Sequence, residues 1–217
     1  SLNWNPAGIV NMNGLEANIV YSKWIQETSF TSLTMGLPMG SAAIAGGINF
    51  LSYPTIEMFN GPAPTDKVGE TTPKDMVALL GFGLAFDEEK TILVGAAGKY
   101  FSETIVDTSY STIALDLGLS VAVMPGELYL GAAAQNLIGK IKDYDIPQVI
   151  RGGAAYRMSI VEPGGARYSS GKGGGGEGGG DLLTIALEGY LPKSGKTEVH
   201  VGAEYQYNII AGRAGYK

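Results

Sequence analysis

The chain has 217 residues, with 15 basic and 21 acidic side chains, a formal charge of −6, no cysteine and a single histidine. The acidic balance, with no basic cluster, excludes a nucleic-acid surface; the missing cysteines exclude disulfide frameworks and thiol catalysis, and the lone His200 excludes most metal sites. Charged residues make up 17% of the chain against a usual ~25%, and 33 glycines together with Ala, Ser and Thr fill the positions that Lys and Glu take in a soluble sheet.

Residues 1–14, containing N-W-N-P-A-G-I-V-N-M-N-G, have no sustained period of two and read as a turn-rich segment preceding a sheet. From there, turn signals divide the chain into eleven candidate strands, at about 15–25, 28–38, 41–53, 74–86, 90–103, 109–124, 127–139, 147–160, 181–191, 197–208 and 210–217. Tight connections are expected at Pro38-Met39-Gly40, Asp87-Glu88-Glu89-Lys90, Pro125-Gly126 and Lys193-Ser194-Gly195. Longer ones fall at about 54–73, 139–147 and 161–180. The last holds Gly173-Gly174-Gly175-Gly176-Glu177-Gly178-Gly179-Gly180, and the stretch 163–180 reads as a flexible insertion or an engineered linker. No Lys-Ser/Thr and helix follow these glycines, so they are not a phosphate-binding loop. The chain opens at Ser1 without Met or a leader, and a signal peptide is expected to have been cleaved or cropped.

The strand pattern is clearest from Ser111 to Val123, where Ile113, Leu115, Leu117, Leu119, Val121 and Val123 alternate with Ala114, Asp116, Gly118, Ser120 and Ala122. The longest apolar run, Val77 to Phe86, has ten residues and two glycines. That is too short for a transmembrane helix, which needs about 18 or more, but long enough for a tilted barrel strand of about 9–11. The expected fold is therefore all-β: an antiparallel up-and-down transmembrane β-barrel, with residues 15–217 forming its wall. Parity assigns Met76, Leu80, Phe82, Leu84, Phe86, Ile92, Val94, Leu128, Leu130, Leu183, Ile185, Leu187, Val199, Val201 and Tyr205 to the lipid face. Lys99, Asp116, Arg151, Arg157, Glu188, His200, Glu204 and Gln206 take the opposite parity and are expected to face the lumen, with Arg213 joining them on the last strand. Four inward bases against three inward acids (Asp116, Glu188 and Glu204) predict a cross-linked interior rather than a strongly ion-selective pore. Tyr21, Trp24, Tyr53, Tyr100, Tyr156, Tyr190, Tyr207 and Tyr216 near strand ends read as an interfacial belt.

No catalytic set emerges. Glu188 and Glu204 can be posed as an acid and base pair, but nothing else organises a reaction around them, and His200 has no nucleophile elbow to serve. Neither an enzyme nor a cofactor is expected.

The N-W-N-P-A-G segment and the following Y-S-K-W resemble the start of FadL-like outer-membrane proteins, in particular the PorV/PorQ branch. Further matches are G-A-A-G-K-Y (Gly95 to Tyr100), I-A-L-D-L-G-L (Ile113 to Leu119), A-A-Q-N-L (Ala133 to Leu137), V-G-A-E-Y-Q-Y-N (Val201 to Asn208) and R-A-G-Y-K (Arg213 to Lys217). The resemblance implies a bacterial outer-membrane barrel of fourteen strands, of which eleven would be present, and makes 1–14 the end of an N-terminal plug with Asn5, Pro6, Ala7 and Gly8 as its motif. It also implies two functions. One is work with the type IX secretion machinery, binding or handing on exported proteins; the 54–73 connection is then a candidate protein-contacting loop. The other is passive transport of fatty acids or other hydrophobic molecules past the plug. A soluble structural β-protein is the third reading left open by the residues.

Overall fold

A computed structural model describes residues 2–61, 66–106, 108–141, 143–160, 181–208 and 210–217. A 3-10 helix, Pro6–Asn11, precedes β1 (Glu16–Lys23), β2 (Ser29–Met39), β3 (Ala42–Ser52), a short hairpin of β4 (Ile56–Phe59) and β5 (Lys67–Thr71), and β6 (Lys74–Ala85). There follow β7 (Ile92–Ile105), β8 (Thr108–Met124), β9 (Leu128–Gln135), a second small hairpin of β10 (Lys140–Ile141) and β11 (Tyr144–Asp145), β12 (Val149–Ile160), β13 (Asp181–Pro192), β14 (Glu198–Tyr207) and β15 (Ile210–Tyr216). Eleven of these strands form one antiparallel sheet in the order β1-β2-β3-β6-β7-β8-β9-β12-β13-β14-β15. Each strand lies within a few residues of its expected place. β1 and β15 are the two edges, and the described residues contain no pairing between them.

Two long connections differ from the sequence reading, because each folds into a hairpin too short to display a period of two: 54–73 holds β4 and β5, and 139–147 holds β10 and β11. The Gly-rich 163–180 stretch lies outside the described residues. β9 stops at Gln135, short of the expected end near 139. Asn136 there takes a positive φ of 55°, and its backbone N–H donates to Asp116 Oδ1 at 2.8 Å, turning the chain out of the sheet.

Strand register sorts the side chains into two faces. One row runs Leu37, Ile44, Phe82, Ala96, Leu117, Ala134, Ile150 and Leu191 across eight strands, entirely apolar. We call this the outer face. A neighbouring row on the other side runs Ala43, Gly83, Gly95, Gly118, Ala133, Arg151, Tyr190 and Glu198. Its first half is small and its second half polar. Within the eleven strands, outer positions carry a charge only at Lys23, Lys74 and Asp181, each the first or last residue of its strand.

The 3-10 helix lies on the small half of the inner face. Pro6, Ala7, Ile9 and Val10 are buried there, the last three in two clusters with Leu2, Ala43, Ala45, Leu79, Ala85, Leu93 and Ala97. The close approach requires glycine beneath it. A β-carbon on Gly83 would meet Val10 Cγ2 at 2.7 Å and Ile9 Cγ1 at 2.9 Å, and one on Gly95 would fall on the Pro6–Ala7 peptide. The glycines inside β6, β7 and β8, costly in an ordinary strand, make the seat for this segment.

Candidate functional site

The N-terminal segment is fixed to the inner face at both ends. Pro6 occupies the first helical position, where its missing N–H costs nothing and its fixed φ suits the helix. Asn5 is the N-cap: its Oδ1 accepts from Ala7 N at 3.0 Å, while its Nδ2 donates to Leu119 O at 3.0 Å and Ala132 O at 3.4 Å. Gly8 N donates back to Asn5 O at 3.1 Å. At the far end Lys90 Nζ, from the β6 to β7 turn, donates to Val10 O at 2.8 Å, a cation on a free carbonyl at the helix C-terminus.

Beside the segment the polar groups of the inner face are organised in pairs. Lys99 Nζ lies 2.6 Å from Asp116 Oδ2 in an ion pair, with Asp116 wholly buried. Lys99 also donates to Asn136 Oδ1 at 3.3 Å. Arg151 Nη1 donates to Glu188 Oε1 at 2.6 Å and its Nε to Gln135 Oε1 at 3.0 Å. Its guanidinium carbon lies 4.4 Å from the Trp4 ring centre and 4.8 Å from that of Tyr190. Gln135 Nε2 in turn donates to Asn3 O and Trp4 O at 2.8 and 3.1 Å. Arg151 and Gln135 together therefore hold the beginning of the segment, by a cation against an indole face and by two backbone hydrogen bonds.

The pairing continues outward along β13 to β15. His200 Nδ1 lies 3.8 Å from Glu188 Oε2 and its Nε2 3.2 Å from Glu198 Oε2, with the ring stacked on Tyr190 at 6.1 Å between centres. Lys217 reaches Glu198 at 2.9 Å, and Arg213 pairs with Glu204. Arg157 sits with its guanidinium 5.6 Å from the Tyr129 ring centre.

Between the segment and the wall lies a half-open cavity of about 350 Å³. Trp4 and Asn5 form one side, Gly131, Gly153 and Ala155 its small-residue floor, and Arg151 and Glu188 its polar edge. Outside the sheet, Asp145 of the second hairpin accepts from Lys193 at 3.0 Å and lies 3.6 Å from Lys140. The Lys193 hydrogen bond first, with the charges of Lys193 and Lys140, holds its carboxyl below the usual aspartate range.

Lys99, Asp116, Arg151, Arg157, Glu188, Glu204 and Arg213, expected to share a face, do so, and it is the face on which Asn5, Pro6, Ala7 and Gly8 lie. Three of the four bases pair with the three acids. Of the expected aromatic belt, Tyr190 is on the inner face, where its ring meets Arg151 and His200. Tyr53 donates to the inner-facing Asp75 at 2.9 Å. Trp4, Gln135 and Glu198 were not singled out as site residues by sequence. The only signal for Trp4 and Gln135 was their place in the N-W-N-P-A-G and A-A-Q-N-L motifs.

No family model matches the chain, and no curated protein matches it. An antiparallel all-β sheet with an apolar outer face and a polar inner face carrying the N-terminal segment is therefore the class that the structure itself defines.

Proposed function

We propose that this chain belongs to an outer-membrane β-barrel of the FadL-like kind, PorV/PorQ branch, working with type IX secretion to bind or hand on exported proteins. One observation carries the membrane reading: the outer face is apolar and free of charge between the strand ends, while the paired charges share the inner face. A lysine or arginine at a lipid-facing midplane position costs about 2–4 kcal/mol, so a barrel wall sorts charge in this way. A water-soluble monomer rarely exposes so continuous an apolar surface. In this reading the polar inner face lines the lumen and the 3-10 segment is the plug. Because β1 and β15 run in the same direction in an eleven-strand antiparallel sheet, antiparallel closure needs an odd number of further strands.

The secretion role is supported by the motif resemblance and by exposed apolar residues at the end of the sheet where the 54–73 and 139–147 connections lie, among them Ile25, Val68 and Tyr144. A second reading, passage of a small hydrophobic molecule, is favoured by the cavity beside Trp4. Native mass spectrometry of the protein, extracted gently from its own membrane, tests both. Co-purifying exported proteins or secretion subunits support the first reading; a bound apolar molecule without protein partners supports the second. Recovery in the soluble fraction after lysis overturns the membrane reading itself.

A further inference from the structure

We propose that Glu188 sets the charge selectivity of the cavity beside Trp4, so that this site takes an uncharged ligand with a flat apolar body and rejects the anionic analogue. The inference rests on reading the cavity as a ligand site. Its edge has one cation, Arg151, the group expected to draw a carboxylate or sulfonate. The charge of Arg151 is already compensated: Glu188 Oε1 accepts from Nη1 at 2.6 Å and Gln135 Oε1 from Nε at 3.0 Å, and the Trp4 and Tyr190 ring centres lie 4.4 and 4.8 Å from the guanidinium carbon. An incoming anion could accept only from the guanidinium N–H groups not already donating, and would do so beside the Glu188 carboxylate, which repels it. It would give up its own hydration without gaining an uncompensated positive charge in return.

An uncharged molecule meets none of these costs. The floor of Gly131, Gly153 and Ala155 and the wall of Trp4 give it apolar contact, and about 350 Å³ accommodates two or three fused or linked rings. The same sheet already receives an apolar element on its small inner residues, where Ile9 and Val10 rest on Gly83. The occupant of the neighbouring cavity is therefore a neutral aromatic or aliphatic molecule, and Glu188 is the residue that makes it so.

The test uses the full chain in lipid nanodiscs with two probes sharing one ring body: neutral N-phenyl-1-naphthylamine and its anionic relative 1-anilinonaphthalene-8-sulfonate. Ala186→Trp, placed in the cavity lining, supplies the background from lipid, and only the signal it removes counts as site binding. The wild type is expected to bind the neutral probe about tenfold or more tighter than the sulfonate. Glu188→Gln should bring the two to within about threefold by strengthening the sulfonate, and Glu188→Gln with Arg151→Gln, which removes both charges, should restore the preference. Retained strand content in circular dichroism qualifies each variant. Cavity-dependent binding with equal or tighter sulfonate affinity in the wild type overturns the selectivity proposal and leaves the ligand site standing. The absence of any signal sensitive to Ala186→Trp overturns the ligand site, and the proposal with it.

Discussion

Gly118 lies directly beneath Asn5: a β-carbon built on it would clash with the Asn5 side-chain oxygen and approach Pro6 Cδ to 2.9 Å. The cap that starts the N-terminal helix and the glycine in the middle of β8 are thus one contact. Gly118→Val is expected to lift the segment from the wall and to cost about 1–3 kcal/mol, the usual penalty for overpacking. Limited proteolysis should then cut within residues 2–12, which the wild type protects. Wild-type protection in the variant would mean that the segment does not seat on β8.

Asn5 acts through both ends of its amide, as acceptor for Ala7 N and as donor to Leu119 O and Ala132 O. Asn5→Ala should cost about 1–2 kcal/mol through loss of the cap and the cross-strand bonds. Asn5→Asp keeps the acceptor but turns an anion toward two carbonyls, so it should be the more damaging of the two. Denaturant unfolding in matched detergent compares them. An aspartate variant as stable as the wild type would reduce Asn5 to a simple cap.

The Lys99 and Asp116 pair is the most deeply buried ion pair among the described residues, and Asp116 also holds the Asn136 turn that ends β9. Lys99→Met leaves the carboxylate buried without its cation and should cost about 3–5 kcal/mol. Combining it with Asp116→Asn should recover part of that loss, since the neutral amide oxygen can still accept from Asn136. Losses that simply add would count against coupling of the two residues.

The faces make opposite demands on a new charge. Leu117→Arg and Ile185→Arg on the outer face should each cost about 2–4 kcal/mol if placed near a bilayer midplane, whereas Ser120→Arg on the inner face should be far milder. Heat-modifiable gel migration of the membrane fraction reports assembly. Equal tolerance at all three positions would remove the basis for a lipid-facing wall.

Asp145 supplies a pH dependence. Its carboxyl is held low in the fold by Lys193 and Lys140, so its contribution is present in full above the ordinary aspartate value of about 3.9 and is lost as pH falls through the lower folded value. Amide exchange over residues 143–147, corrected for intrinsic rates, should be slower in the wild type than in Asp145→Asn at pH 6. The two should converge toward pH 2.5. A difference independent of pH would assign the protection to something other than this carboxylate.

Much of this architecture was legible in the residues. A period of two is a local property, so each of the eleven wall strands and the sorting of Lys99, Asp116, Arg151, Glu188 and Glu204 onto one parity could be read directly. Parity gives no guide where local geometry breaks it, as at the irregularity between Ala122 and Met124 in β8, or where a strand holds a single period, as in β10 and β11. Parity also cannot say which inward groups meet. That Arg151 takes Glu188, that Trp4 and Tyr190 meet its guanidinium, and that Gly83, Gly95 and Gly118 form a seat depend on residues far apart in the chain brought into register by five strand pairings. Alternation, turn chemistry and charge placement are written in neighbouring residues and belong to the sequence. The seat, the clamp on the N-terminal segment and the cavity beside it are distances between strands, and only the assembled sheet sets those.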